Sequence, residues 1–396
     1  MLGSRIFRAV FALTLGLMFV PTSGLSAQIP LDTPWGRVLD HADYDRWNRI
    51  ANATISSDGE WIAYRLVPGS EEPWATLHLK NVDSGATWSV QGGGSPTFTD
   101  DSRFLVTLVE PDPAVVDSLE SLAEDDDDVV VPQAELQVVE LSSLSVVVTM
   151  ADIDDFEVPE DGASVVAMRM TEEAEDREED AQEETEEEEG EEEAEDGEDD
   201  EGEDEADGQP LLVVRLDGDR TPVRVDDVTD YAFTQEGDAL YLVTNDEAET
   251  DGVHRMDPRT GALTTLLAGS GRYLGLEVST GDEGTGAVAF MSDVADVAAE
   301  AEMPGMALYV ADSGGGEARL LVPTTTEAFP DGWGVSEHGD LRFSDAGSRV
   351  FFGTRPLPEP EPEEGEEDDE IDVEVDIWNW QDGYLQPMQL VRAQGY

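Results

Sequence analysis

The 396-residue chain contains no cysteine, one lysine (Lys80) and four histidines. Without cysteine there can be no disulfide, no thiol nucleophile and no cysteine-zinc site, so the fold must rest on its core alone. Basic residues are scarce, 21 against 93 acidic ones, for a formal net charge of -72. No extended basic patch can form, which makes nucleic acid and anionic membrane surfaces poor partners. An acidic surface of this kind is compatible with high salt, where self-repulsion is screened within a few ångströms.

Several chemical signatures are also lacking. None of His41, His78, His254 and His338 is spaced as a metal pair of the HExxH kind. His78 and His254 fall in alternating stretches, where a half-buried structural role is expected, and His338 falls in a turn. No acidic window matches the calcium-loop spacing with its central glycine and terminal glutamate. There is no phosphate-binding or dinucleotide-binding glycine pattern, and Gly92 to Gly94 and Gly314 to Gly316 read as hairpin turns. The strained serine elbow G-x-S-x-G is absent too. Its nearest approach, Gly334-Val335-Ser336-Glu337-His338-Gly339, fails on spacing and leads into a strand. No catalytic residue, cofactor or metal ligand is assigned.

What is present begins with an address label. Arg5 and Arg8 precede the apolar run Ala9 to Val20, then Pro21 and a small-residue stretch ending Leu25-Ser26-Ala27. This is the layout of a secretory signal peptide, and the run is short for a membrane span. The expectation is a signal peptide over 1–27 cleaved near Ala27, with a periplasmic or extracellular product; an uncleaved anchor is the alternative. Residues 28–52 read as a lead-in segment.

From residue 53 to 396 the chain repeats itself. The stretch Ile55-Ser56-Ser57-Asp58-Gly59-Glu60-Trp61-Ile62-Ala63-Tyr64 joins a polar turn to a short aromatic and branched run, a turn feeding a strand. Related copies lie at 96–106, 156–168, 231–243 and 341–352, with a looser one at 276–293. Most are followed by an alternating strand that ends in Asp or Asn and a glycine-bearing turn, as in LHLKNVDSGATWSV, LLVVRLDGDRTPVRV, VHRMDPRTGALTTLL and LYVADSGGGEARLLV. Two hairpins per repeat predict an all-β fold, a β-propeller of four-stranded antiparallel blades. About six to seven blades are expected, with the ring incomplete. A blade cannot cover both of its faces alone, so blades must stack.

Two acidic tracts interrupt the repeats. Residues 171–208 have almost no apolar side chain and repel themselves, which predicts a disordered insertion. Residues 356–370 form a Pro/Glu-rich relative, stiffened as an extended spacer. Asp125 to Asp128 is a third, smaller cluster between strands.

Two stretches carry a resemblance. Leu39-Asp40-His41-Ala42-Asp43-Tyr44-Asp45-Arg46-Trp47 running into the first repeat, and Asp376-Ile377-Trp378-Asn379-Trp380-Gln381-Asp382 with Leu385-Gln386-Pro387, are similar to the N-terminal propeller region of secreted bacterial peptidases of the prolyl oligopeptidase family. The resemblance spans roughly 35–396. It implies a propeller that gates and orients peptide substrates for an α/β-hydrolase domain bearing a Ser-His-Asp triad. No triad position can be carried over to this chain, which is expected to be inactive alone. Its partners are then peptide substrates, reached by way of the missing domain. The alternative is a free-standing periplasmic propeller that binds a protein or peptide through its loops. Arg103, Arg349 and Arg355 stand in turns where they could hold peptide carboxylates, although solvated blade-edge charges are the plainer reading.

Overall fold

The structure, a computed structural model, describes residues 47–69, 74–123, 130–162, 164–172, 174, 208–245, 251–281, 284–299, 301 and 304–357. The segment 1–27 expected to be a signal peptide, Asp125 to Asp128, most of the long acidic tract, nearly all of the shorter one, His41 and the closing tryptophan segment lie outside these residues.

Strands follow one another as up-and-down antiparallel meanders. Blade 1 is β1 (Asn48–Ile55), β2 (Trp61–Pro68), β3 (Thr76–Asn81) and β4 (Thr87–Gln91), so regular pairing starts ahead of the boundary at residue 53. Blade 2 is β5 (Thr97–Phe98), β6 (Phe104–Val109), β7 (Glu135–Glu140) and β8 (Ser145–Met150). The next sheet has seven strands where two separate blades of four were expected: β9 (Ile153–Glu157), β10 (Val165–Met170), β11 (Gln209–Arg215), β12 (Val223–Phe233), β13 (Leu240–Thr244), β14 (Gly252–Asp257) and β15 (Ala262–Ala268). The reason is β12. Its first half pairs with β11 and its second with β13, and the two meet at a register shift near Asp227, whose φ is +59°. One strand thus closes blade 3 and opens blade 4 through a bulge, which bends and twists it.

Blade 5 is β16 (Tyr273–Val278), β17 (Val288–Ser292), β18 (Ala307–Ala311) and β19 (Arg319–Val322). Blade 6 is described as two short pairs, β20 (Trp333–Val335) with β23 (Thr354–Pro356) and β21 (Arg342–Phe343) with β22 (Val350–Phe351). Pro356 belongs to β23 and the Leu357 N–H bonds Gly332, so the Pro/Glu-rich tract starts later than residue 356.

The period-2 alternation of the strands explains the stacking. On β10, Val166, Met168 and Met170 face a core shared with blade 2, while Val165 and Ala167 face a core shared with blade 4. On β13, Leu240 and Leu242 look back to blade 3, and Tyr241 and Val243 look forward to blade 5. Further cores join blades 1 and 2 through Trp61, Leu79 and Leu105, and blades 5 and 6 through Met291, Leu308 and Val335. Every interior blade is therefore apolar on both sides.

Four of the six repeat turns are built alike. The N–H of Ser56 bonds the Trp61 carbonyl, and the Trp61 N–H bonds the Ser56 hydroxyl, both at 3.0 Å. Thr99 with Phe104, Thr234 with Ala239 and Ser344 with Arg349 repeat the pair. Three residues into the turn the backbone is left-handed, at Gly59, Gly237 and Gly347 as expected, while Ser102 takes that role in blade 2 at φ +53°. Ser102 also accepts the Asp58 N–H at 3.0 Å, Asp100 accepts the Gly162 N–H at 3.1 Å, and Gln235 donates to Asp161 at 2.7 Å. Neighbouring turns are thereby chained across blades.

The tight turns share one end of the stack, so each connection from second to third strand lies at the other end. The five such connections that re-enter described strands carry nearly half of the 93 acidic residues but one of the 21 lysines and arginines. The connection in blade 2 contains α1 (Pro113–Ala123), a helix that sequence reading missed. Asp112 accepts the Ala114 N–H at 3.0 Å and Pro113 occupies the first turn, where no N–H is needed. Gly92 to Gly94 are not a hairpin turn. They link β4 to β5, with Gly93 bridged to Val109 and pressed on Leu77 so that no side chain fits.

Thr234 is buried, so its hydroxyl should be worth the cost of an unmet backbone donor. Thr234→Val is expected to lose about 1–3 kcal/mol in urea unfolding and Thr234→Ser to stay close to the parent. A Val variant of parental stability would contradict the turn account.

Candidate functional site

First strands of adjacent blades pack side by side, β12 against β16 and β16 against β21, which makes them the inner wall of the stack. An innermost strand has a free edge, and its unpaired N–H groups must find acceptors. Carboxylates supply them. Glu157 on β9 accepts the Phe233 N–H of blade 4 at 3.2 Å. Asp230 on β12 accepts the Leu276 N–H of blade 5, and Glu277 on β16 accepts the Phe343 N–H of blade 6.

One section of this wall is a shallow hollow of about 300 Å³ lined by Asp155, Phe156, Glu157, Arg169, Asp230 and Tyr231. Asp155 and Arg169 are direct cross-strand partners, so register alone brings them together. Arg169 donates to Asp155 and, at 3.1 Å, to the Thr229 carbonyl. The Tyr231 hydroxyl also donates to Asp155, and the guanidinium sits 6.0 Å from the Tyr231 ring. Burial pushes Glu157 up to about 7, with the charges of Asp230, Asp155 and Glu160 adding to it against the Phe233 hydrogen bond. Burial likewise raises Asp230 and Tyr231. Chemically the hollow can accept hydrogen bonds from amide or cationic groups and can hold a proton near neutral pH.

The sequence-selected residues are scattered. Ser336 is buried, with its hydroxyl accepting the His338 N–H at 3.3 Å, while the His338 ring is exposed and lies 3.6 Å from Glu337. The structure does not join serine to imidazole there. His78 stacks on Tyr64 at 5.4 Å. His254 is held between Thr244 and Thr265, both at 3.1 Å, and burial lowers its pKa. Arg103 lies over the Phe104 ring and 3.7 Å from Asp101. Arg349 lines a groove beside blade 5. Arg355 reaches Glu337 at 2.8 Å, and Arg272 links Glu337 at 3.5 Å to buried Asp293 at 3.0 Å, which ties blade 6 to blade 5. The wall carboxylates were missed, although their signal was visible: acidic residues inside the first strands β9, β12 and β16, as in Asp154-Asp155-Phe156-Glu157 and Leu276-Glu277-Val278. Among the described residues no group of potential ligands is placed to hold a metal ion.

No family model and no curated protein matches this chain. Solved structures do. An acylaminoacyl peptidase from Pyrococcus horikoshii is similar at 12% identity and a TM-score of 0.35 over 70% of this chain and 40% of its own. A prolyl endopeptidase is similar at 15% identity and a TM-score of 0.40 over 79% and 43%. The β-propeller domain of the Trilobed protease from Pyrococcus furiosus, described as having an open velcro topology, is similar at 11% identity and a TM-score of 0.38 over 78% of each chain. This chain thus spans about two fifths of the first two proteins. Similarity at this level assigns no activity to it.

Because Glu157 titrates higher in the folded chain than its ordinary 4.5, the fold binds this proton more tightly than the unfolded chain does. Its contribution is complete below about pH 4.5 and lost as pH rises through about 7. Glu157→Gln, which keeps the acceptor for Phe233, is expected to be stabilised relative to the parent by about 1–3 kcal/mol at pH 8 and to show little gain at pH 4.5. Urea midpoints at the two pH values check this; equal differences at both would contradict it.

Proposed function

We propose that this chain is the non-catalytic propeller portion of an exported serine peptidase of the prolyl oligopeptidase family. In this reading it gates and orients peptides for an α/β-hydrolase domain that these residues do not include. The observation that carries the reading is the inner wall. Stacked blades present a rigid, hydrogen-bonded surface of carboxylates, one arginine and one tyrosine, suited to an extended peptide whose own amides need partners. The segments around Tyr44 to Trp47 and Trp378 to Asp382 support it by resemblance. The chemistry would be acyl transfer by a triad carried on the hydrolase domain. Export follows from the Arg5 to Ala27 leader.

The test joins genetics to labelling. Coding sequence beyond Tyr396 is expected to encode a G-x-S-x-G elbow followed by Asp and His. Residues 28–396 expressed with that sequence should cleave short chromogenic peptides and react with a fluorophosphonate, while 28–396 alone should do neither. Labelling of the isolated chain, with Ser336 the first position to map, would overturn the proposal. A stop codon directly after Tyr396 would overturn it too, in favour of a free-standing binding propeller.

A further inference from the structure

Helix α1 is out of keeping with the rest of the stack. Its 11 residues fall below the roughly 12–15 at which an isolated helix is marginal in water, so packing of an apolar face has to sustain it. Yet no side chain of α1 belongs to any of the five apolar cores that join the described blades. The contrast is α2 (Val294–Ala298), in the corresponding connection of blade 5, which buries Val294 in the core between blades 4 and 5.

In α1 the residues Val115, Leu119 and Leu122 stand at i, i+4 and i+7 and so form one apolar stripe. Val116 and Leu119 are half-buried, but Val115 is 47% and Leu122 56% exposed. Ser118 lies between those two on the helix surface. Its hydroxyl donates to the Ala114 carbonyl at 2.7 Å, and the Ser121 hydroxyl donates likewise to Asp117 at 2.8 Å. Both hydroxyls are thereby turned onto the helix backbone, which leaves the exposed edge apolar.

The charge around the stripe is of one sign. Residues 110–128 include nine acidic residues and no lysine, arginine or histidine. Asp112 suits the positive end of the helix dipole. The last turn, however, has no basic residue, and Glu124 to Asp128 come next in sequence, where the dipole is already negative. The local sequence thus supplies no cation for the C-terminal end, and the described cores supply no cover for the exposed edge. A second copy of this chain, or an anionic lipid surface, would bring like charge to like charge.

We propose that α1 is a docking helix whose Val115, Leu119 and Leu122 seat on an apolar protein surface edged with lysines and arginines. This is recognition of an amphipathic helix by its i, i+4 and i+7 anchors, with the acidic flanks setting orientation and speeding encounter. It goes beyond the peptidase reading and stands independently of it.

Fluorescence anisotropy of a labelled Leu/Lys amphipathic helical peptide, titrated with the full chain, tests the proposal. Binding in the micromolar range is expected, weakened by added salt. Val115→Ser combined with Leu122→Ser keeps every charge and is expected to weaken binding about tenfold or more. Leu320→Ser, at a similarly exposed leucine on the outermost strand β19, should leave it unchanged. A Leu/Glu peptide with the same apolar stripe should not bind. Equal binding by the parent and the double variant would overturn the proposal, reducing it to charge attraction. A Leu/Glu peptide that binds as tightly as the Leu/Lys one would remove the basic edge from it. Absence of binding by the parent would overturn it, leaving the edge to be covered within the chain. A parental dimer in analytical ultracentrifugation that the double variant abolishes would also overturn it, assigning the stripe to a second copy.

Discussion

The constraint on which the rest of this molecule depends is that a blade of four strands has two apolar faces and no means of covering either by itself. Period-2 alternation distributes the side chains of each strand between two different cores, so a single β-strand such as β10 serves the blade behind it and the blade ahead of it. The consequence is a chain of interfaces in which each core is shared and none belongs to one blade. With no cysteine, and with charge working against compaction, this shared burial must supply the stability.

Two polar devices hold the stack in register. At one end, Ser or Thr hydroxyls close four of the repeat turns, and side chains of one turn bond the backbone or a side chain of its neighbour. Along the inner wall, Glu157, Asp230 and Glu277 satisfy the free strand edges of the following blades. The second device has a physical cost, since burial disfavours the charged form of each carboxylate. It also gives the wall its chemistry. The acidic connections, by contrast, all join second to third strands, opposite in the strand order to the tight turns.

Much of the fold was legible in the residues. Turn chemistry repeated with alternating strands marked the four-stranded units, and the glycine positions at 59, 237 and 347 have the left-handed backbone that the turn demands. The shared strand β12 was not legible, because its halves belong to different repeats and only the bulge at Asp227 reveals the join. The helix α1 was hidden by its short length and by neighbouring acidic residues. The inner wall escaped notice for a different reason. A carboxylate beside an aromatic residue looks like solvent-facing alternation until the packing of first strands shows that it faces another blade. His78, His254 and Ser336 drew attention by type, yet their neighbours are tyrosine, threonines and backbone, while His338 lies exposed beside Glu337.

The central claim, that neighbouring residues of one strand belong to different interblade cores, is tested most directly by a double-mutant cycle in blade 3. Val166 and Val138 lie in the core between blades 2 and 3, and Val165 lies in the core between blades 3 and 4. Val166→Ala combined with Val138→Ala is expected to depart from additivity by about 0.5 kcal/mol or more in urea unfolding, while Val165→Ala with Val138→Ala should be additive within about 0.5 kcal/mol. Equal coupling of Val138 to Val165 and Val166 would contradict the account.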